Sequence, residues 1–172
     1  MILEVTRPGA ALALTLTCAL AGTPASAAPP ALTSAQRTVL IEATRQYRDV
    51  KAALDAGYLA TDLCVPGMGY HYVHPALSAG IIIDPVLPEV LLYDRSQKLL
   101  GIEYFKADAD GDLGTDTDRP TLFGHRFDGP MHGHEVPAGA PMMPVHYDLH
   151  VWLYTKNPAG ELATTNPKVT CP

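Results

Sequence analysis

The chain has 172 residues and a formal net charge of −6, with 12 Lys and Arg residues spread along it rather than clustered. That charge balance excludes a basic nucleic-acid-binding surface and argues against docking on an anionic membrane. Hydrophobic residues make up 47% of the chain, which is enough for one domain with a substantial core.

The N-terminal segment, residues 1–27, is predicted to be a secretory signal peptide. Gly9–Gly22 is almost uncharged and apolar, and Ala25 and Ala27 are the small residues expected just before a cut after Ala27. The apolar run is too short to span a bilayer, and no later stretch is long enough to do so. The sequence therefore predicts a secreted or periplasmic protein whose residues 28–172 form a single α+β domain.

Two cysteines, Cys64 and Cys171, remain after this cut. An even number of cysteines in an exported protein predicts a disulfide, here between the loop after the first helix and the C-terminus. The alternative is that both thiolates bind a metal ion. It is less favoured because neither cysteine has a Cys or His at ligand spacing.

The first predicted element is a long helix from Thr33 or Ser34 to about Ala56. Gln36 is placed for a capping box with Thr33, and Gly57 is a natural stop. Five side chains at helical spacing form the expected core-facing stripe: Val39, Ala43, Tyr47, Val50 and Leu54. We interpret this helix as a support that packs on a sheet.

The next stretch with distinctive chemistry is Gly67–Pro75, GMGYHYVHP. Its glycines allow a tight turn or a close backbone approach, and Tyr70–Val73 favours a strand. In a strand, His71 points to the opposite face from Tyr70 and Tyr72.

A hairpin is predicted from Glu89–Arg95 and Lys98–Lys106, closed by Ser96 and Gln97. In its second strand the alternation separates Leu100, Ile102 and Tyr104 from Gly101, Glu103 and Phe105. Glu103 is therefore a candidate carboxylate on a face that is not the main core face.

A polar loop follows with five aspartates between Asp108 and Asp118. It resembles a calcium loop, but the glycine due after Asp112 is missing and Arg119 stands where an EF-hand has its bidentate Glu. A solvated acidic loop is therefore favoured over calcium binding at Asp108–Asp118.

The stretch Val145–Leu153 has the strongest strand pattern of the chain. Read with period two, it has a core face and a polar face. The core face consists of Val145, Tyr147, Leu149, Val151 and Leu153. The other face has two imidazoles, a carboxylate and the only tryptophan of the chain: His146, Asp148, His150 and Trp152.

All seven histidines of the chain lie after the helix, on predicted strands or loops. Imidazole suits zinc, copper and iron, so the sequence predicts a transition-metal site. Residues two apart on a strand are roughly 6.6 Å apart and residues four apart roughly 13 Å. Asp148 and one flanking histidine can therefore share an ion, whereas His146 and His150 cannot without a bulge.

A metal site consequently needs ligands from elsewhere. The candidate ligands are His71, His146, His150 and His74, with His71 the first candidate to join the strand. Glu103 and Asp148 are the candidate catalytic carboxylates. In one alternative the histidines are merely hydrogen-bonded and Asp148 fixes a tautomer, and in another they form an acid–base site without metal.

The long loop Asp128–Pro144 contains His132 and His134 and is a candidate lid or binding loop. Loop histidines are usually solvated, so these two are less favoured as ligands than His71. His125 is interpreted as structural.

Three motifs together suggest a family: GMGYHYVHP at Gly67–Pro75, HYDLHVWLYTKNPAG at His146–Gly160 and NPKVTC at Asn166–Cys171. They resemble a family of small secreted bacterial proteins with the motifs GMGYHYVxP and HYxLHxWxxxxNPxG, whose activity is uncharacterised. The resemblance covers about Leu54 to Cys171 and implies export and a single domain. His74 stands where that family has Asn, which weakens it as a ligand.

The predicted fold class is α+β: an N-terminal helix packed on a twisted antiparallel sheet, with a half-barrel or cone as a further alternative. The predicted function is that of a secreted, His-rich metal-binding protein. Its stronger form is a mononuclear metalloenzyme that activates water or oxygen through zinc, copper or iron.

Two other functions stay open. One is a non-catalytic small-molecule-binding module of the cell envelope, with a Tyr/Trp/His pocket that includes Tyr70, Tyr72 and Trp152. The other is a structural or interaction protein of the envelope. Neither catalysis nor the oligomeric state follows from the sequence.

Overall fold

The computed structural model describes residues 31–134 and 142–172. The predicted signal peptide lies outside the described residues, as do residues 135–141 of the predicted lid loop. The described part is an α+β fold in which an N-terminal helical segment accompanies a six-stranded antiparallel sheet. The predicted fold class is confirmed.

The helical segment is broken where one long helix was expected. It consists of α1 (Ser34–Thr44), a 3-10 turn (Arg45–Arg48) and α2 (Val50–Asp55). The predicted capping box is present, since Thr33 and Gln36 exchange hydrogen bonds at the start of α1. The break follows from Asp49, whose extended backbone and side-chain hydrogen bond to Lys51 N at 3.0 Å start a new helix.

The predicted apolar stripe is wrong at two positions. Val39 and Leu54 are about half exposed, whereas Leu40, Tyr47 and Ala53 are buried. The 3-10 turn has three residues per turn rather than 3.6, so it rotates the face that α2 presents relative to a continuous helix.

The strands of the six-stranded sheet are β1 (Leu59–Val65), β2 (Gly69–Val73), β3 (Val90–Tyr93), β4 (Leu99–Ala107), β7 (Asp128–Met131) and β8 (His146–Val151). Their order in the sheet is β1-β2-β3-β4-β8-β7, and every neighbouring pair is antiparallel. The edges are β1 and β7, so the sheet is open and not closed into a barrel. The predicted hairpin is confirmed as β3 and β4.

Three smaller elements complete the described structure. The strands β5 (Thr121–Leu122) and β6 (His125–Arg126) form a separate two-stranded sheet, and α3 (Pro75–Ser78) is a single turn of helix. No helix in the described ranges is both long and apolar enough to cross a membrane.

Both faces of the central strands β3, β4 and β8 are almost entirely buried, but the chemistry of the two faces differs. The face that packs with the helical segment is apolar and aromatic, and its centre is Leu91, Ile102, Tyr104, Leu149 and Val151. The opposite face has a small apolar cluster of Val90, Leu92, Leu100, Phe105 and Trp152. Buried polar side chains lie beside that cluster: His71, Glu103, His146, Asp148 and His150.

Leu100 lies on the second face because β4 is bulged. Leu92 pairs with Gly101 and Tyr93 pairs with Leu99, which leaves Leu100 as the extra residue. The expected grouping of Leu100 with Ile102 and Tyr104 is therefore wrong.

The C-terminal segment is tied covalently to β1 and packs through Val169 on the polar face. Cys64 and Cys171 form the predicted disulfide, with their Cα atoms 5.7 Å apart. Gly67 N donates to Val169 O at 3.0 Å, and Val169 packs against the apolar cluster of that face. The C-terminal segment thus packs against the apolar cluster that lies beside the buried polar side chains.

Candidate metal centre

The strand register brings three polar side chains from three strands together. Glu103 on β4 pairs directly with His150 on β8. His71 on β2 pairs with Leu92 of β3, which in turn pairs with Gly101, two residues before Glu103. His71 therefore reaches Glu103 diagonally across β3.

His71, Glu103 and His150 are called the first cluster below. Glu103 Oε2 lies 3.2 Å from His71 Nε2 and 3.5 Å from His150 Nε2. One ligand atom from each of the three lies within 4.8 Å of the other two. Tetrahedral ligands at about 2.1 Å from a zinc ion are roughly 3.4 Å apart, so this spacing suits a shared ion.

The first cluster is buried and not satisfied by hydrogen bonds. Glu103 and His150 are 0% exposed and His71 is 7% exposed. Within the described part of the chain, neither oxygen of Glu103 nor the Nε2 atom of either histidine has a hydrogen-bond partner. Buried polar atoms are nearly always paired. The Glu103 oxygen and the two histidine nitrogens therefore lie close to one another, but their arrangement does not meet the geometry of a hydrogen bond.

The opposite charges of Glu103 and the histidines of the first cluster stabilise one another. Burial by itself raises the pKa of Glu103, but the fields of His150 and His71 outweigh it and hold that pKa well below its usual value. Burial lowers the pKa of His150, but the Glu103 and Asp148 carboxylates outweigh it and raise that pKa. Without metal, Glu103 is a carboxylate that faces a protonated His150, and a cation can take the place of that proton.

His134, His146 and Asp148 form a second cluster on the same face. One ligand atom from each lies within 4.8 Å of the other two. His146 and Asp148 are 0% exposed, and His134 is partly buried at the end of the described segment after β7. His146 Nδ1 lies 3.0 Å from Pro144 O, which can only accept, so Nδ1 is the donor and Nε2 is left for a ligand role.

Asp148 lies between the two clusters. Its Oδ1 is 3.5 Å from His150 Nδ1, and its Oδ2 is 4.0 Å from His146 Nε2. The alternation of β8 places all three side chains on the polar face, as the sequence predicted.

Five of the predicted site residues are brought together: His71, His146, His150, Glu103 and Asp148. Their arrangement differs from the expected one. Asp148 was expected to join His71 and one histidine of β8, but Glu103 occupies that position. His134, which the sequence made a weaker candidate, joins His146 and Asp148.

His74 lies outside both clusters, which corrects its prediction as a ligand. It caps α3, with its Nδ1 accepting from Leu77 N at 3.4 Å. Its Nε2 lies 3.2 Å from Ala56 O, and its ring packs edge-on against Tyr58. Both nitrogens therefore have backbone partners, and the residue is structural.

The predicted Tyr/Trp/His pocket is not assembled. Tyr70 and Tyr72 lie on the other face of β2 from His71, where they line an open groove with Asp62 and Arg95. Trp152 lies on the polar face, buried, with its Nε1 donating to Ala163 O at 2.6 Å. The two tyrosines and the tryptophan are thus separated by the sheet.

The acidic loop uses several of its carboxylates locally. Asp110 accepts a hydrogen bond from Thr115 Oγ1 at 2.8 Å, and Asp112 accepts from Gly114 N at 2.9 Å. Asp118 accepts from Tyr147 Oη at 2.9 Å. These contacts tie the loop to itself and to β8.

Glu89, which directly precedes β3, should make the free energy of unfolding depend on pH. It is buried, and burial raises its pKa to about 7, while its carboxylate accepts a hydrogen bond from Phe105 N at 3.3 Å. The folded state therefore keeps this proton up to about pH 7, whereas the unfolded state releases it near pH 4.5. Stability due to Glu89 is present below pH 4.5 and is lost as the pH rises to 7.

Glu89→Gln removes this titration while keeping an acceptor for Phe105 N. At pH 8 we expect the variant to be more stable than wild type by about 2 kcal/mol, after allowance for solvent screening. At pH 4.5 the two should be nearly equal. Urea unfolding followed by Trp152 fluorescence measures both, and a difference independent of pH would contradict the prediction.

Comparison of the chain with protein-family models, curated proteins and solved structures finds no match. The resemblance based on the GMGYHYVHP and HYDLHVW motifs stays a prediction. Function must therefore be inferred from the geometry of the two clusters.

Proposed function

We propose that this protein binds a transition-metal ion through the first cluster, with His71, Glu103 and His150 as ligands. The observation that supports this most strongly is the convergence of three buried ligand atoms within 4.8 Å of one another, with Glu103 Oε2 at 3.2 Å and 3.5 Å from the two imidazole nitrogens. Two imidazoles and one carboxylate favour zinc, copper or iron over calcium and magnesium, which prefer oxygen ligands.

The alternative of a merely structural histidine cluster is less favoured. Structural buried histidines are held by hydrogen bonds from both ring nitrogens. In the described residues, both nitrogens of His150 and Nε2 of His71 lack such partners. A metal ion that replaces the proton of His150 would satisfy the Nε2 atoms of both histidines and the negative charge of Glu103 at once.

The finer proposal is a mononuclear metalloenzyme. Three protein ligands leave a coordination position open, and a bound ion there would supply Lewis acidity toward water or oxygen. Glu103 lies between two imidazoles, so we assign it a ligand role rather than the base role expected from the sequence. Asp148 lies near the outer nitrogen of His150 and would orient that ring.

We also propose that the protein works in an oxidising, extracytoplasmic compartment. The Cys64–Cys171 disulfide supports this location, because such bonds persist mainly outside the reducing cytosol. The predicted signal peptide, residues 1–27, agrees with it.

The test is metal analysis of protein expressed from the full-length chain, purified without a histidine tag, loaded with zinc and dialysed. We expect wild type to retain at least one equivalent of zinc. The His71→Ala/His150→Ala double variant should retain one equivalent less than wild type. His125→Ala, on β6 and outside both clusters, is the matched control and should bind as wild type does.

Two results would refute the proposal. One is wild-type binding below about a tenth of an equivalent after loading, since a buried three-ligand site should be close to fully occupied. The other is unchanged stoichiometry in the folded double variant, which would show that the ligands are elsewhere.

A further inference from the structure

The second cluster has the features of a metal site in its own right. We infer that His134, His146 and Asp148 bind a second transition-metal ion, so that the polar face holds two separate single-ion sites. This inference adds to the proposed function and takes the first cluster as the site of the other ion.

Unpartnered buried atoms point to this second ion. In the described ranges, His134 Nε2, His146 Nε2 and both oxygens of Asp148 are buried without a hydrogen-bond partner. A buried carboxylate and two buried imidazole nitrogens without partners are costly to retain unless something compensates them. An ion bound to all three would satisfy one atom of each.

The His146 imidazole is also oriented as a ligand. The contact between His146 Nδ1 and Pro144 O orients the ring and leaves its Nε2 as the ligand atom. A hydrogen bond of this kind behind a ligating histidine is typical of metal sites.

A single ion cannot use all six residues. His146 and His150 are four residues apart on an extended strand, roughly 13 Å along it. The ligand atoms accordingly divide into two separate sets of three. The sets are nevertheless adjacent, since the His134 ring lies 5.9 Å from both the His71 ring and the His146 ring.

Asp148 connects the two sites. It is a ligand in the second cluster, and its Oδ1 lies 3.5 Å from His150 Nδ1 of the first cluster. A carboxylate behind a ligating histidine fixes the ring and raises its basicity. Loss of Asp148 should therefore remove the second ion and also weaken binding of the first.

The experiment is a zinc titration by calorimetry, with metal analysis of the same samples and circular dichroism to verify folding. We expect two equivalents in wild type and one in His134→Ala or His146→Gln. The first-cluster double variant, His71→Ala/His150→Ala, should also bind one. The matched control is His132→Ala, an exposed histidine two residues from His134, which should still bind two.

Asp148→Asn should bind one equivalent, about 10-fold to 100-fold more weakly than the remaining site of His134→Ala.

The second site is overturned if wild type binds one equivalent and folded His134→Ala and His146→Gln bind the same. That result leaves the proposed function intact. If His134→Ala binds one equivalent of zinc less than wild type but the first-cluster double variant binds as much as wild type, the proposed function fails and the second site stands. Absence of binding overturns both.

Discussion

Removal of the Cys64–Cys171 bridge, as Cys64→Ser/Cys171→Ser, is expected to lower the free energy of unfolding by about 4 kcal/mol. The bridge joins residues 107 apart in sequence, so it removes much of the freedom of the unfolded chain. It also holds the C-terminal segment, in which Val169 accepts from Gly67 N and packs against the apolar cluster of the polar face. The measurement is urea unfolding followed by the fluorescence of Trp152, the only tryptophan.

The control for this prediction is wild type in the presence of a thiol reductant. It should unfold at the same urea concentration as the double variant, because both lack the same bond. A double variant within about 1 kcal/mol of oxidised wild type would contradict the prediction. The tail would then be held by its hydrogen bonds and packing alone.

Glu103→Gln is expected to destabilise the metal-free protein by about 3 kcal/mol at neutral pH. The substitution keeps the shape of the side chain but removes the charge that faces His71 and His150. Glu103 is fully buried and has two imidazole nitrogens within 3.5 Å, so its loss leaves the buried positive charge of His150 facing Asp148 alone. Thermal or urea unfolding in the presence of a chelator measures the effect.

The matched control is Glu42→Gln on α1. Glu42 also forms an ion pair, with Arg45 at 3.3 Å, but both side chains are largely exposed. An exposed pair of this kind contributes less than about 1 kcal/mol. If the two variants lose the same small amount of stability, then Glu103 does not compensate buried charge and the electrostatic description of the first cluster is wrong.

The same variant separates the stability of the metal-free protein from metal binding. With zinc in excess, wild type should gain about 4 kcal/mol when the free zinc is 1,000-fold above its dissociation constant. Glu103→Gln should lose the part of that gain that comes from the first cluster, because a neutral amide is a poor ligand for zinc. Equal gains in both proteins would show that Glu103 is not a ligand.

Local features of this protein were predictable from residues close in sequence. The alternation of Val145–Leu153 sorted His146, Asp148 and His150 onto one face, since successive side chains of a strand point to opposite sides. The same rule placed Glu103 off the main core face and separated His71 from Tyr70 and Tyr72. The capping box of Thr33 and the β3–β4 hairpin also depend only on short-range geometry.

Strand order, in contrast, was decided by the packing of the whole chain. β8 pairs with β7, its neighbour in sequence, and also with β4, about forty residues earlier. The pairing with β4 puts Glu103 opposite His150. The sequence predicts Asp148 in that position, because Asp148 is the carboxylate nearest to the two histidines along the strand. Only the tertiary structure shows that Asp148 lies between two clusters.

The histidines outside the strands show the same difference between what local sequence and what tertiary packing decides. His74 is close to His71 in sequence, but Pro75 turns the chain into α3 and leaves His74 as its cap. His134 is on a loop without periodicity, so no local pattern could place it, yet the chain after β7 brings it against His146. The sequence alone determined which side chains share a face. The tertiary structure decided which of them meet, because contacts between distant segments depend on the packing of the entire sheet.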